Sequence, residues 1–381
     1  MNPYASPAGT QAYAQRFAGR TDSGHFRAVA GLNPENTKDS VMLSSLGIGT
    51  YLGEPNPETD RAYTEAVIAA VESGFNVIDT AINYRLQRSE RSIGSALAEL
   101  TRRGYSREEI VLCTKAGYLT PDGEMPPDPA GYFRQEFIER GILKQGEIVA
   151  GCHTMAPRYL ADQLERSLVN LGVSCVDIFY LHNPETQLAE ISREEFLGRL
   201  GAAFLWLESA VTSGKIRAYG LATWNGFRVA QDSPEHLSLG AIEAVAREVA
   251  GEAHHFRFVQ LPVNLAMTDA LTRRNQPVPG NVKEPATMIE AASELGVALI
   301  ASASLLQGRV ARQLPAFIQE AIGLEDNFQR ALQFVRSLPG IITALVGMSH
   351  AEHALANARL FKEPLLDQEQ FSRLFSRGNT A

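Results

Sequence analysis

Gly74-Phe-Asn-Val-Ile-Asp-Thr-Ala-Ile-Asn-Tyr84 ends a short apolar run on a carboxylate, Asp79, and carries a phenol, Tyr84, on the segment just after it. Two more polar groups close apolar runs further along: Lys115 in Ile110-Val-Leu-Cys-Thr-Lys115 and His182 in Val176-Asp-Ile-Phe-Tyr-Leu-His182. A charge at the end of a buried strand costs free energy unless it is paired. Four such groups able to meet at one rim of a sheet point to an active site.

Similar runs recur along the chain at Leu46-Gly-Ile-Gly49, Ala218-Tyr-Gly-Leu-Ala222, Phe258-Val-Gln-Leu261, Val297-Ala-Leu-Ile-Ala301 and Ile341-Ile-Thr-Ala-Leu-Val346. They have few alternating polar positions, as expected of strands covered on both faces of a parallel sheet. Helical patterns lie between them. Pro157 opens one with Leu160, Leu164, Leu168 and Leu171 on a stripe and Gly172 at its end. Arg88 to Arg103 carries Ile93, Leu97 and Leu100 and stops at Gly104, and Phe196, Leu200, Phe204 and Leu207 form a third stripe before Gly214. Eight buried strands alternating with helices predict an α/β fold, a (β/α)8 TIM barrel, with a doubly wound open sheet as the alternative.

The runs are evenly spaced except between 111 and 177, where residues 118–156 form a long insertion containing Pro121-Asp-Gly, Pro126-Pro-Asp-Pro, Tyr118, Tyr132 and Phe133. An insertion after a barrel strand emerges at the carboxyl end of the sheet, so this one is a candidate lid or substrate wall. A surface excursion packed away from the site is the other reading. The expected organisation is an N-terminal extension over 1–40, a barrel over 41–365 and a C-terminal tail over 366–381.

The balance of 35 basic against 43 acidic residues gives a net charge of −8, which argues against a nucleic-acid or acidic-membrane partner. Cys113, Cys152 and Cys175 have neither disulfide-framework nor zinc spacing, as suits a reducing compartment. With no secretory leader pattern and no long apolar stretch, a cytoplasmic protein is expected.

Tyrosine is a poor acid at neutral pH, and an adjacent ammonium lowers its pKa. Lys115 is therefore expected to activate Tyr84, Asp79 to pair with Lys115, and His182 to orient a substrate oxygen toward Tyr84. These groups can move a proton to or from a carbonyl oxygen. They cannot supply a hydride, so a nicotinamide dinucleotide, NADP or NAD, is expected.

In these motifs the chain resembles the aldo-keto reductases, a (β/α)8 family with an Asp-Tyr-Lys-His tetrad. Gly74 to Tyr84 matches the family's G-F-x-x-x-D-T-A-x-x-Y. Tyr84-Arg-Leu-Gln-Arg-Ser-Glu-Arg-Ser-Ile-Gly94 resembles in part the Y-G-x-G-x-S-E-x-x-L-G of a branch that includes sugar and galactose dehydrogenases, with Arg85 and Gln87 in place of its two glycines. The likeness runs from about Gly47 to Asn357 and implies reversible hydride transfer with a carbonyl or alcohol, sugar-like in that branch.

It also implies cofactor contacts. Gly49, Thr50 and Tyr51 end the first strand, with Asp79 beside them. Thr223 stands where an asparagine is usual, Ala222 where a serine is usual, and Gln260 matches the sixth-strand glutamine. Ser302 replaces the aromatic residue that stacks on nicotinamide, while Leu305-Leu-Gln-Gly308-Arg309 resembles the pyrophosphate loop. Gly347, Ser349, His353 and Asn357 fall at the adenosine end, where relatives place a lysine or arginine for a 2′-phosphate and this stretch offers only Ser349, His350 and His353, with Arg309 and Arg312 as the other candidates. Family habit favours NADP, and these residues favour NAD or dual use. Tyr51, Tyr118, His153 and Trp224 are expected to face substrate, and no metal site is expected. Two other functions are open to this sequence: a regulatory or sensor barrel that binds the nucleotide with little turnover, and a metal-dependent lyase or hydrolase.

Overall fold

The computed structural model describes residues 2–32, 39–278 and 281–376. The parts of the expected N-terminal extension and C-terminal tail at residues 1, 33–38 and 377–381 lie outside the described residues. Near the amino terminus come helix α1 (Pro7–Arg16) and an antiparallel hairpin of β1 (Phe26–Ala30) and β2 (Ser40–Ser44). The barrel strands follow as β3 (Leu46–Gly49), β4 (Val77–Asp79), β5 (Val111–Ala116), β6 (Val176–His182), β7 (Ile216–Ala222) and β8 (Phe256–Pro262). A second hairpin, β9 (Gln276–Val278) with β10 (Asn281–Ala286), precedes the last two barrel strands, β11 (Ala298–Ser302) and β12 (Ile341–Gly347).

The eight barrel strands close in the order β11-β12-β3-β4-β5-β6-β7-β8, every pair parallel. This is the (β/α)8 barrel that the apolar runs predict. Strands β5 and β7 are buried at every position, which is why their sequences show no alternation. The outer layer includes α2 (Pro57–Ser73), α3 (Arg88–Arg102), α5 (Pro157–Leu171), α6 (Arg193–Thr212), α7 (Leu239–Ala250), α9 (Met288–Glu294), α11 (Asn327–Ser337) and α12 (Ala351–Ala358). Shorter helices α4 (Pro129–Phe133), α8 (Asp269–Thr272) and α10 (Ala316–Ile322) lie in connections, and α13 (Gln368–Ser376) follows the barrel. Helix α2 ends at Gly74, whose φ of 110° an L side chain would resist, and the chain turns there directly into β4.

The amino-terminal segment is integral to the barrel. Val29, Val41 and Leu43 of the hairpin share an apolar cluster with Val77 and Val111, the first residues of β4 and β5. The buried Asp177 carboxylate receives the Ala5 and Leu112 backbone N–H groups, each at 2.7 Å, and pairs with Arg107 at 2.6 Å. These bonds fasten the chain start to the end of the barrel opposite the strand carboxyl termini. The 118–156 insertion folds largely on itself around Leu119, Phe137, Leu143 and Tyr159, with Phe133 packed against them. Among the described residues no helix is long and apolar enough to cross a membrane.

Candidate active site

Strands β4, β5 and β6 deliver their last polar side chains to one rim. Lys115 is fully buried, and its ammonium donates to Asp79 Oδ1 at 2.6 Å and to the Thr80 carbonyl at 2.7 Å. The other Asp79 oxygen accepts from Gln260 Nε2 at 2.8 Å, so both carboxylate oxygens are bonded. Such pairing is what makes a buried ion pair tolerable. The Lys115 nitrogen lies 5.0 Å from the Tyr84 ring centroid, and the Tyr84 ring meets His182 edge-on at 5.8 Å. The four residues expected from sequence are therefore brought together.

Their protonation states follow from burial and charge. Burial drives the His182 imidazole well below its ordinary pKa, with Lys115 pushing the same way, so the ring is neutral. Burial is the largest influence on Lys115 and lowers its pKa, but the charge and hydrogen bond of Asp79, with Tyr84 acting the same way, together leave it raised and the ammonium persists. Tyr84 departs from the sequence expectation. Lys115 does pull its pKa down, yet burial outweighs it and the phenol sits above its usual value. Tyr84 is thus held as the protonated acid at neutral pH.

The tetrad opens into a cavity of about 950 Å3 that runs along the carboxyl ends of the strands toward α12. Gly49, Thr50, Tyr51, Thr223, Gln260 and Ser302 line its inner part. Leu305, Gly308, Gly347, His353 and Asn357 line it toward α11 and α12. Arg309 and Ser349, also expected at the cofactor, are not among its lining residues. Of the residues expected at substrate, Tyr51, Tyr118 and Trp224 line the cavity. His153 does not. It is fully buried, with Nε2 2.7 Å from the His182 carbonyl and Nδ1 2.9 Å from Gln187 Nε2, so both ring nitrogens are engaged behind the site. Within the insertion only Tyr118 reaches the cavity, edge-on to His182 at 5.2 Å; Tyr132 packs on Phe133 instead.

The cavity bears the marks of a polar ligand. Thr223 Oγ1, Ser304 Oγ and His182 Nδ1 are buried without hydrogen-bond partners among the described residues. After β11 the backbone takes positive φ at Ala303, Leu306, Gln307 and Gly308. The Leu306 N–H turns back to the Ala303 carbonyl at 2.8 Å, and those of Gln307 and Gly308 have no acceptor among the described residues. Sequence reasoning missed Asp326, Phe328 and Gln329, which reach the cavity from the start of α11. They sit on a helix whose apolar pattern points to the core. Their one visible signal is the unpaired bulk of Phe328 beside an N-cap aspartate.

An Asp-Tyr-Lys-His constellation at the carboxyl rim of a (β/α)8 barrel, opening on a long polar cavity, defines a class of barrel oxidoreductase. The aldo/keto reductase family model matches residues 45–315, and the chain belongs to that family. Over 217 residues it is 26% identical to the NADH-specific methylglyoxal reductase of Escherichia coli (strain K12), covering 56% of each chain. It is also 26% identical over 193 residues to a putative voltage-gated potassium channel subunit beta of Schizosaccharomyces pombe, covering 50% of this chain and 45% of the other. The chain thus spans about half the length of the curated relatives it matches. In fold it resembles a Klebsiella pneumoniae aldo/keto reductase solved with NADP and acetate, at 18% identity and TM-score 0.58 over 92% of this chain and 94% of that one. A holo aldo-keto reductase of Bacillus halodurans gives 18% identity and TM-score 0.60 over 92% and 96% of the two chains.

Proposed function

We propose that this protein is an NAD(P)-dependent oxidoreductase that interconverts an uncharged carbonyl compound and its alcohol. One observation carries the reading: a fully buried, salt-bridged Lys115 lies beneath Tyr84, with neutral His182 across from it, at the inner end of a cavity with unpartnered polar atoms. A nicotinamide dinucleotide bound there would supply or accept the hydride. Thr223 and the free oxygen of Gln260 would hold its carboxamide, and the backbone N–H groups of Gln307 and Gly308 its pyrophosphate.

The chain's own residues handle the proton. His182 donates a hydrogen bond to the substrate oxygen and aligns it with Tyr84. Tyr84 then gives up its phenolic proton as negative charge builds on that oxygen, and the Lys115 ammonium stabilises the phenolate left behind. In oxidation the phenolate recovers the proton from the alcohol. Asp79 keeps Lys115 charged and in place throughout.

Two finer points follow from the lining. The substrate end is walled by Tyr51, Tyr118 and Trp224 with the amides of Asn83 and Asn183, and no lysine or arginine is among its described lining residues. That suits a neutral, sugar-like carbonyl better than a keto acid. At the nucleotide end Arg359 is the one guanidinium among the described lining residues, and Asp326 adds a carboxylate. A 2′-phosphate there meets one cation and one anion, so NADH is expected to bind at least as well as NADPH. The E. coli relative, which is NADH-specific by name, supports this choice.

Separate fluorescence titrations with NADH and NADPH, followed by a carbonyl panel, test the proposal. Binding of either with turnover sustains it, and binding of neither ends it. A second reading, a nucleotide-sensing regulatory barrel, draws on Ser302 standing where a stacking aromatic would be. Tight binding with no reduction of any carbonyl would mark that one.

A further inference from the structure

We propose that Glu185 is a positioning residue for substrate, fixing the Trp224 indole as a wall of the cavity relative to His182. Its Oε1 collects three consecutive backbone N–H groups, from Trp224 at 2.7 Å, Asn225 at 3.0 Å and Gly226 at 3.3 Å. No other acceptor is recorded for those three N–H groups among the described residues. Glu185 is 4% exposed, and its Oε2 is buried without a partner, so the carboxylate acts through a single oxygen. Burying a carboxylate is costly, and charge-assisted bonds to backbone N–H groups are the interactions strong enough to offset it.

The placement gives that grip a purpose. Glu185 follows His182 on the same short segment leaving β6, where Asn183 donates to the Tyr118 hydroxyl at 3.0 Å. One segment therefore carries the histidine that faces substrate, holds Tyr118 on one side, and through Glu185 holds the loop after β7 on the other. Thr223, expected at the cofactor, is anchored differently, by its N–H on the Gln260 carbonyl at 2.9 Å. The hold of Glu185 begins one residue later. There the Trp224 side chain lines the cavity with 44% of its surface uncovered, a large aromatic face left for a ligand. Loss of Glu185 should loosen the substrate wall and leave the cofactor contacts standing.

This inference rests on the oxidoreductase reading for its kinetic arm only. In a Trp206→Phe background, Trp224 is the sole tryptophan, and acrylamide quenching reports its freedom without any turnover. Glu185→Ala should about double the quenching constant and raise the carbonyl KM about tenfold, with kcat within about threefold and nucleotide Kd unchanged. Glu185→Gln, which keeps an acceptor oxygen but not the charge, should fall between and carries the test if the alanine variant does not fold. In a Trp224→Ala background, Glu185→Ala should change KM no further. Unchanged quenching and KM in folded Glu185→Ala would overturn the proposal, as would a KM effect that persists in full without Trp224. If no carbonyl is turned over at all, the activity reading fails, while the quenching arm still decides whether Glu185 holds Trp224.

Discussion

The two ends of the cavity are built by different means. At the β4–β6 end, chemistry resides in side chains: Asp79 and His182 close their barrel strands, Lys115 is the last residue but one of β5, and Tyr84 stands on the turn just after β4. At the β11–β12 end the cavity is shaped by backbone with positive φ at residues 306–308 as well as by side chains from α11 and α12. The first end is intolerant of side-chain change and the second intolerant of conformational change. Substitutions at the two ends should therefore separate chemistry from nucleotide binding.

The largest effect is expected from Tyr84→Phe, which removes the transferred proton and leaves the cavity walls in place. Turnover should fall by about 10^3-fold or more while nucleotide Kd stays within about twofold. A variant that retains activity would break the comparison at its root. Lys115→Met comes next, since it removes the charge that stabilises the phenolate and leaves Asp79 buried without its ion pair. Breaking a buried pair costs about 3–5 kcal/mol, so thermal stability should drop together with kcat. Met at an intact melting temperature would show that Asp79 takes up a proton in the folded variant.

The pH dependence sharpens the same end. Reduction needs the Tyr84 phenol, whose pKa burial raises above the ordinary value near 10. The acid form is complete below that pKa and is lost as pH rises through it, so reductive kcat/KM should stay flat from about pH 6 to about pH 9. Oxidation needs the phenolate and should climb over the same interval. His182 adds no inflection there, because its pKa lies well below the ordinary histidine value. A reductive rate that falls between pH 7 and 8 would mean that Lys115 outweighs burial after all.

This contrast also explains what the sequence could disclose. Strands buried on both faces write continuous apolar runs, and a polar residue at the end of one stands out, so the barrel and the tetrad were both legible. Helix α1 buries only Thr10 and Tyr13 and writes no stripe. The β9–β10 hairpin lies in a proline-rich polar stretch and pairs irregularly. Neither leaves a periodic trace. Asp326 and Phe328 belong to the cavity only because α11 begins beside it, a tertiary fact with no local signature. His153 misleads in the opposite way: its type suits a pocket, but its backbone pairs with Tyr118 and Val149 and turns the ring inward.

At the nucleotide end, Gly308→Ala tests the backbone argument. Gly308 has φ 79°, so an alanine there is strained, while its Cβ would only touch the Phe328 ring, 3.4 Å from Cε1. Nucleotide Kd should rise about fivefold, or about 1 kcal/mol, with kcat at saturating nucleotide unchanged.

The smallest effect is expected just past the catalytic tyrosine. Arg85, Leu86 and Gln87 hold φ of 49°, 57° and 72° in succession without a glycine among them. Left-handed backbone costs a non-glycine residue roughly 1–2 kcal/mol. Side-chain anchors offset that cost here. Arg85 pairs with Asp60 and lies 5.2 Å from the Tyr63 ring, while Gln87 donates to the Pro121 carbonyl at 3.2 Å and accepts from Asn170 at 3.1 Å. Gln87→Gly would relieve the strain at one residue but lose two hydrogen bonds worth about 1 kcal/mol each, besides admitting a freer unfolded chain. The opposing terms nearly cancel, so stability should move by no more than about 1 kcal/mol and kcat by no more than about twofold. A tenfold loss of kcat in this variant would show that Tyr84 depends on the Gln87 anchors for its aim, and the tolerance for conformational change at the catalytic end would then be as small as at the nucleotide end.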